Sequence, residues 1–262
     1  MTTMAFAVRD SATMTRRIFR HVMRYPVTLI TAVVIPVLLL LMFVGIFGGA
    51  LKAGLGAGAA SYINYVVPGI IVITVVYGCQ STTLAVNRDS AEGIIARFRT
   101  MAISPSAVLN GHVAGALIRT LASVALVIGV AIGLGFRPTA DPGRWLAAAG
   151  VIALLVLALT WLGVAFGLAA KAAEGTTGFL LIVQVLPFIS SAFVAPAEMS
   201  AAVRWFAANE PFTPVINTLR GLLTAGPGPS GGTVLAAVAW CAGLALGGCL
   251  WARVLSRRDL NR

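Results

Sequence analysis

Long apolar runs separated by short polar segments are the main pattern of the sequence. A helix needs about 20 apolar residues to cross a bilayer, and six runs approach or exceed that length. They are residues 27–48, 63–86, 106–135, 145–170, 179–195 and 233–252. The runs are continuous, whereas the strands of a membrane β-barrel alternate apolar and polar residues. The pattern predicts an all-α polytopic membrane protein, with residues 1–262 forming a single transmembrane domain.

A basic amphipathic stretch precedes the first run. Within residues 1–26, Ile18, Val22 and Tyr25 fall on one helical face and arginines surround the other. Such a helix lies in the membrane interface with its arginines toward the headgroups. An interfacial helix is therefore expected here, and a disordered basic tail is the alternative.

A second amphipathic stretch, residues 196–231, precedes the last run. It is too polar to span the bilayer and too apolar for an ordinary loop, and prolines interrupt it. We expect interfacial or re-entrant helices that dip into the outer leaflet. The residues assigned to this re-entrant segment are Asn209, Pro211, Pro214 and Arg220.

One polar insert, residues 87–105 (NRDSAEGIIARFRTMAISP), stands out in the first two-thirds of the chain. Asp89 followed by Glu92 resembles a capping box, which predicts a helix opening near Ser90 and stopping at Pro105. We expect a short amphipathic helix over 88–104, through which a separate energy-supplying protein acts on the membrane part. The residues assigned to this contact are Arg88, Asp89, Glu92, Gly93, Ile94, Arg97 and Phe98.

The third run is longer than a crossing requires, and it contains Arg119. A charge at the bilayer centre costs about 2.5–3.5 kcal/mol or more. We therefore expect the hydrocarbon part to begin near Thr120, with the first turns projecting toward the cytoplasm. The glycines expected to permit close helix packing later in this run are Gly129, Gly133 and Gly135.

Charge fixes the expected orientation. The net charge is +11, and the 19 lysines and arginines lie mostly at the ends of apolar runs. With six crossings, thirteen of them share a side with the termini and five lie opposite, Arg119 being on neither. The positive-inside rule places both termini and the insert of this multi-pass membrane protein in the cytoplasm. This pattern indicates contact with anionic lipid and no nucleic-acid partner.

Composition and motifs limit the chemistry of the chain. Charged residues make up 10% of the sequence and the mean hydropathy is +0.95, whereas soluble domains carry about 25% charged residues. A GxxxxGK[ST] phosphate loop is absent, because the only lysines, Lys52 and Lys171, follow Leu51 and Ala170. The eight acidic residues fall in loops or tails, so uphill transport would need energy from a partner. We expect no catalytic residue, no metal site and no cofactor in this chain.

The three cysteines, at 79, 241 and 249, show no CxxC spacing. All of them lie within apolar runs. They are predicted to be small buried hydrophobic residues and not a disulfide set.

Three motifs in this order resemble the permease subunit of type-2 ABC exporters, in the daunorubicin- and multidrug-resistance branch. They are the insert at 87–105, IRTLA at 118–122 with GLGFR at 133–137, and FAANEPFTPVINTLRG at 206–221. The resemblance covers nearly the whole chain. Two departures are Met199-Ser200, where the family often has Met-Pro, and Asp89, where it often has Glu.

The resemblance implies a location in the bacterial inner membrane, a function and partners. The insert would be the coupling helix, docking in a cleft of an ABC ATPase subunit present in two copies, which binds ATP and Mg²⁺. The N-terminal helix would touch the same subunit, and two permease chains, alike or unlike, would pair. The substrate path would run between them along the second and fifth spans. Candidate path residues are Tyr77, Gln80, Thr83, Gln184 and Phe188, with packing as the alternative for Tyr77 and Phe188.

The implied activity is export of a hydrophobic or amphipathic substrate, such as a drug, an antibiotic or a lipid-like molecule. Export of a glycan or cell-envelope lipid is an alternative within transport. A non-transporting membrane sensor or scaffold is the alternative of another class.

Overall fold

The computed structural model describes residues 27–47, 59–92, 105–139, 141–170 and 173–258. Within these ranges the regular structure is helical, which confirms the all-α prediction. The predicted N-terminal helix over 1–26 and most of the 87–105 insert lie outside the described residues. The helices are α1 (Val27–Met42), α2 (Ala59–Ala91), α3 (Pro105–Gly133), α4 (Pro142–Ala169), α5 (Ala173–Val185), α6 (Ala201–Asn209), α7 (Phe212–Leu223) and α8 (Gly231–Arg258).

Four of these helices are long and apolar enough to cross a membrane, so the chain is a multi-pass membrane protein. Their candidate spans are Tyr62–Ala91, Leu109–Gly133, Pro142–Ala169 and Gly231–Ser256. They coincide with the second, third, fourth and sixth predicted runs. The first and fifth runs form shorter apolar helices, Val33–Ile46 and Gly175–Ile189.

Contacts between helix ends define two ends of the bundle. At the end that carries the insert, one apolar cluster joins the last turns of α2, α4 and α8 to the start of α3. Its buried members are Val86, Leu109, Val113, Val164, Ala165 and Ala252. At the opposite end, the Arg137 backbone N–H donates to Asn64 Oδ1 at 3.1 Å. The Phe43 ring stacks on Phe193 there, with centroids 4.0 Å apart. Successive apolar helices therefore run in alternating directions.

Helix α2 lies at the centre of the bundle. Glycines let α3 and α4 approach it closely. A Cβ on Gly163 of α4 would lie 2.2 Å from Thr83 Oγ1, and one on Gly167 would lie 2.8 Å from the Thr83 carbonyl oxygen. On α2 itself, a Cβ on Gly78 would lie 2.3 Å from Thr120 Oγ1 of α3. Each close approach leaves no room for a larger side chain.

The glycine face predicted on α3 is wrong. A Cβ on Gly129 or Gly133 would meet nothing within 4 Å. Gly135 lies beyond the end of α3 with φ +106°. That left-handed backbone favours glycine, so the residue serves the turn and not helix packing. The contact between α2 and α3 is made instead where Gly78 faces Thr120.

The fifth run differs from its predicted bounds. Residues 173–178, expected in a loop, belong to α5, and α5 ends at Val185 instead of continuing to 195. Pro187 explains this end, because it has no N–H for a helical hydrogen bond, and the chain continues as a 3₁₀ turn over Leu186–Ile189. α8 is also longer than expected and runs into the basic tail as far as Arg258.

Candidate functional site

The insert begins as a continuation of α2. This helix extends to Ala91, and the Glu92 N–H donates to the Arg88 carbonyl oxygen at 2.9 Å. Asp89 and Ser90 therefore lie in its last turn, and the prediction that a new helix opens near Ser90 is wrong. The reason is that unbroken helical hydrogen bonding passes through the proposed cap. Of the residues assigned to the partner contact, Gly93, Ile94, Arg97 and Phe98 lie outside the described residues.

A polar contact between side chains joins the two helices that flank the insert. His112 Nε2 of α3 lies 3.1 Å from Asp89 Oδ2 of α2. Both side chains are mostly buried, with 17% and 30% of their surface exposed. The two residues are 23 positions apart in the sequence, so spacing along the chain alone does not reveal the contact.

Arg119 makes the next contact between the same helices. Its Nη2 donates to Thr82 Oγ1 at 2.7 Å, to Ser81 Oγ at 2.8 Å and, more weakly, to the Gly78 carbonyl oxygen at 3.5 Å. The expectation that the hydrocarbon part begins near Thr120 stays a prediction. Hydroxyl groups of α2 hold the guanidinium inside the bundle, so the charge need not leave it.

Asn87 connects α2 to α4 at the same end. Its side-chain amide donates to the carbonyl oxygens of Gly167 at 3.1 Å and Ala170 at 2.9 Å. The last carbonyls of a helix have no partner within that helix, and Asn87 supplies one. The base of the insert is thereby tied to two neighbouring helices.

Of the candidate path residues, the structure brings Gln80 and Gln184 together and places Thr83 elsewhere. Gln184 Nε2 of α5 donates to Gln80 Oε1 of α2 at 2.7 Å. Tyr77, one turn from Gln80, is half-buried, and Phe188 is 43% exposed and lies near Phe193 with ring centroids 5.5 Å apart. Thr83 is fully buried and its hydroxyl donates to the Cys79 carbonyl oxygen at 3.1 Å. Thr83 therefore faces α4 and not this surface.

The stretch expected to be re-entrant consists of a 3₁₀ turn, α6 and α7. The Glu210 carboxylate accepts hydrogen bonds from the backbone N–H of Phe212, at 2.8 Å, and of Thr213. These are the free donors of the first turn of α7, and Pro214 has none. Burial raises the pKa of Glu210, and the bonds from the helix act in the opposite direction. Asn209 makes a local bond, to the Trp205 carbonyl oxygen at 2.7 Å.

Arg220, at the end of α7, connects three parts of the chain. Its Nη2 donates to the Ser191 carbonyl oxygen at 2.7 Å, and its Nε and Nη2 each donate to the Tyr65 carbonyl oxygen at 3.2 Å. Its Nη1 donates to Asn217 Oδ1 at 2.7 Å. The guanidinium also lies 3.8 Å from the centroid of the Tyr65 ring, within range of a cation–π interaction. Sequence reasoning found Arg220 and missed its contacts with Tyr65 and Ser191, which lie on other elements.

The cysteines are free thiols, and Cys79 and Cys241 are buried as predicted. Cys79 Sγ donates to the Leu159 carbonyl oxygen at 2.8 Å, so it serves the packing of α2 against α4. Cys249 is partly exposed. No group of three or more metal-binding side chains occurs among the residues whose positions are described.

Comparison with known proteins identifies the family. Residues 10–224 match the family described as "ABC-2 type transporter". The daunorubicin resistance ABC transporter permease protein DrrB1 of Streptomyces coeruleorubidus is 33% identical over 185 residues, which are 69% of this chain and 62% of that relative. The chain thus spans less than two-thirds of that relative's length.

A second relative matches over more of its length. The probable doxorubicin resistance ABC transporter permease protein DrrC of Mycobacterium tuberculosis (strain ATCC 25618 / H37Rv) is 22% identical over 240 residues, 90% of this chain and 84% of the relative. The family match itself covers most of this chain, including the insert, Arg119 and Arg220. The chain belongs to the ABC-2 type transporter family.

Proposed function

We propose that the chain is the membrane permease of an ATP-driven exporter, energised by a separate ATPase subunit. It moves a hydrophobic or amphipathic molecule, such as a drug, an antibiotic or a lipid-like compound, out of the cell. The observation that carries the proposal is the family match over a chain without a phosphate loop, in which a polar insert is tied to its helices at the base. Energy must then enter from outside the chain, and the insert is the place for it.

The topology that goes with this function has six crossings and two cytoplasmic termini. α1 and α5 supply the two crossings beyond the four long helices, and the alternating directions of the apolar helices support this arrangement. The chain then spans the bacterial inner membrane with its insert on the side that holds ATP. The 196–231 segment lies in the outer leaflet, at the end of the bundle that Arg220 holds together.

The insert over 88–104 docks on the ATPase subunit. Contacts at the base of the insert transmit its movement to the membrane helices. Asp89 is tied to α3 and Asn87 to α4, so a displacement of the insert pulls on three helices. Two copies of the ATPase subunit serve two permease chains. ATP and Mg²⁺ bind on the ATPase subunits.

The substrate path runs along the surface that carries the Gln80–Gln184 pair. These two amides lie in apolar helices and are half-buried, and each retains hydrogen-bonding groups beyond the bond they share. A second permease chain covers this surface, and Tyr77 and Phe188 add aromatic area to it. This assignment favours substrates that combine an apolar body with a few polar groups.

The test is reconstitution with the ABC ATPase subunit that serves this chain. Inside-out vesicles that contain both proteins are expected to accumulate daunorubicin, the drug in the name of the DrrB1 relative, only when ATP is present. An ATPase subunit unable to hydrolyse ATP is the control. Vesicles that hydrolyse ATP without moving the drug would point to a glycan or cell-envelope lipid as substrate. Failure of the ATPase to co-purify would contradict the proposal and favour a sensor or scaffold.

A further inference from the structure

Two polar contacts join α2 and α3 in matching register. The first is the contact between the Asp89 carboxylate and the His112 imidazole, and the second is the hydrogen bond from Arg119 to Thr82. The two members on α3 are seven residues apart, and so are the two on α2. Seven residues are about two helical turns, so each helix presents both members on one face, about 10 Å apart.

The register is that of an antiparallel pair, because the residue number falls on α2 as it rises on α3. One turn beyond Thr82 lies Gly78, where a Cβ would come within 2.3 Å of Thr120 Oγ1. A single line of contact therefore runs from the base of the insert through both polar contacts to the closest approach of the two helices. We call this line the α2–α3 ladder.

Helices in a membrane are held together differently from helices in a soluble protein. Lipid is as apolar as leucine, so no hydrophobic force drives two helices together within a membrane. Close packing at small residues and hydrogen bonds between helices hold them instead. The ladder combines both, at the end of the helix pair where the insert is attached.

We infer that Asp89, His112 and Arg119 are positioning residues that make the insert-bearing halves of α2 and α3 one rigid arm. A displacement of the insert then moves both helices together about the contact between Gly78 and Thr120. Without the ladder the insert would tilt one helix against the other, and the displacement would not reach the opposite end of the bundle. The consequence for transport rests on the proposed function, whereas the rigidity itself does not.

The rigidity can be measured without an ATPase or a substrate. Spin labels attached through Ala91→Cys on α2 and Asn110→Cys on α3 report on the two helices of the arm, since both positions are exposed. Cys249→Ser removes the partly exposed native thiol, and the other two thiols are buried. The full chain in lipid is expected to give a narrow distribution of distances between the labels. Asp89→Ala and His112→Ala are each expected to broaden this distribution. The double variant is expected to broaden it no more than either single variant.

Exchanging the two residues separates a specific contact from general damage to the fold. Asp89→His combined with His112→Asp restores a carboxylate–imidazole contact and is expected to restore the narrow distribution. Arg119→Met is expected to broaden it and Arg119→Lys to recover part of the loss. Ile118→Ala, an exposed neighbour of Arg119, is the matched control and should change nothing. Distributions that stay narrow in Asp89→Ala and Arg119→Met would overturn the inference.

The second measurement is the amount of daunorubicin moved per ATP hydrolysed by the reconstituted complex. His112→Ala is expected to lower this ratio by roughly fivefold, the lower end of the coupling usually found between two sites, and the exchanged pair to restore it. An unchanged ratio in His112→Ala, alongside a broadened distance distribution, would overturn the role of the arm in coupling. If the unaltered complex moves no drug, the proposed function fails, and the distance measurement still decides whether the arm is rigid.

Discussion

Arg220→Ala is expected to lower the free energy of unfolding by about 3 kcal/mol or more, because hydrogen bonds from charged groups contribute about 1.5–3 kcal/mol each. The change removes the donors that hold Tyr65 of α2, Ser191 after α5 and Asn217 of α7 to one another. It also removes the cation–π contact with the Tyr65 ring. Thermal unfolding of the purified protein in detergent measures the loss as a lower midpoint temperature.

Arg204 supplies a matched control for this prediction. Its guanidinium also donates to carbonyl oxygens, those of Pro196, Ala197 and Met199. The side chain is exposed and its partners lie within eight positions along the chain, so Arg204→Ala is expected to cost less than about 1 kcal/mol. Equal losses for the two variants would show that Arg220 does not hold the three elements together.

Gly248→Ala is expected to separate α8 from α4. The added Cβ would lie 2.6 Å from Leu162 N and 2.7 Å from the carbonyl carbon of Trp161. Both atoms are backbone and cannot turn aside as a side chain would, so a helix must shift. Overpacking of this kind costs typically about 1–3 kcal/mol, which a lower unfolding midpoint and a smaller yield of folded protein in membranes would report.

The neighbouring Gly247 is the control. A Cβ there would meet nothing within 4 Å, and alanine favours a helix over glycine by up to about 1 kcal/mol. Gly247→Ala is therefore expected to leave stability unchanged or to raise it slightly. If the two variants are equally stable, α8 does not pack on α4 as closely as described.

Length and continuity of apolar runs were enough to predict the long helices. Four runs became helices of crossing length with ends near those expected, because a membrane helix is specified by its own hydrophobicity. The fifth run shows the limit of that reasoning. Its apolar residues continue past Val185 while Pro187 turns the backbone into a 3₁₀ turn, so hydrophobicity alone overestimated the helix at that end.

Contacts between helices could not be predicted in the same way. Arg119 was recognised as costly in a membrane, but the hydroxyls that receive its hydrogen bonds lie on α2, 37 and 38 positions away. The glycines show the same limit, since those on α3 face open space and Gly163 and Gly248 make the close approaches. Sequence spacing identifies a helical face, but the neighbour of that face depends on how the bundle assembles.

A matched seven-residue spacing on two helices is the sequence signal that could have revealed the polar contacts between α2 and α3. His112 and Arg119 are two turns apart on one helix, as are Thr82 and Asp89 on the other. When two antiparallel helices are joined by a short insert, equal spacings on both helices bring polar residues into contact at two levels. Searching for matched spacings on both sides of an insert would have suggested the ladder from sequence alone.

The central claim, that a separate ATPase acts through the insert, is tested most directly by site-specific photo-crosslinking. A photoreactive residue in place of Phe98 lies within the insert, and one in place of Trp205 lies on α6, where that side chain is 70% exposed. In membranes that contain both proteins, the account predicts a crosslink to the ATPase subunit from position 98 and none from position 205. Absence of the crosslink at 98, or equal yields at both positions, would contradict it.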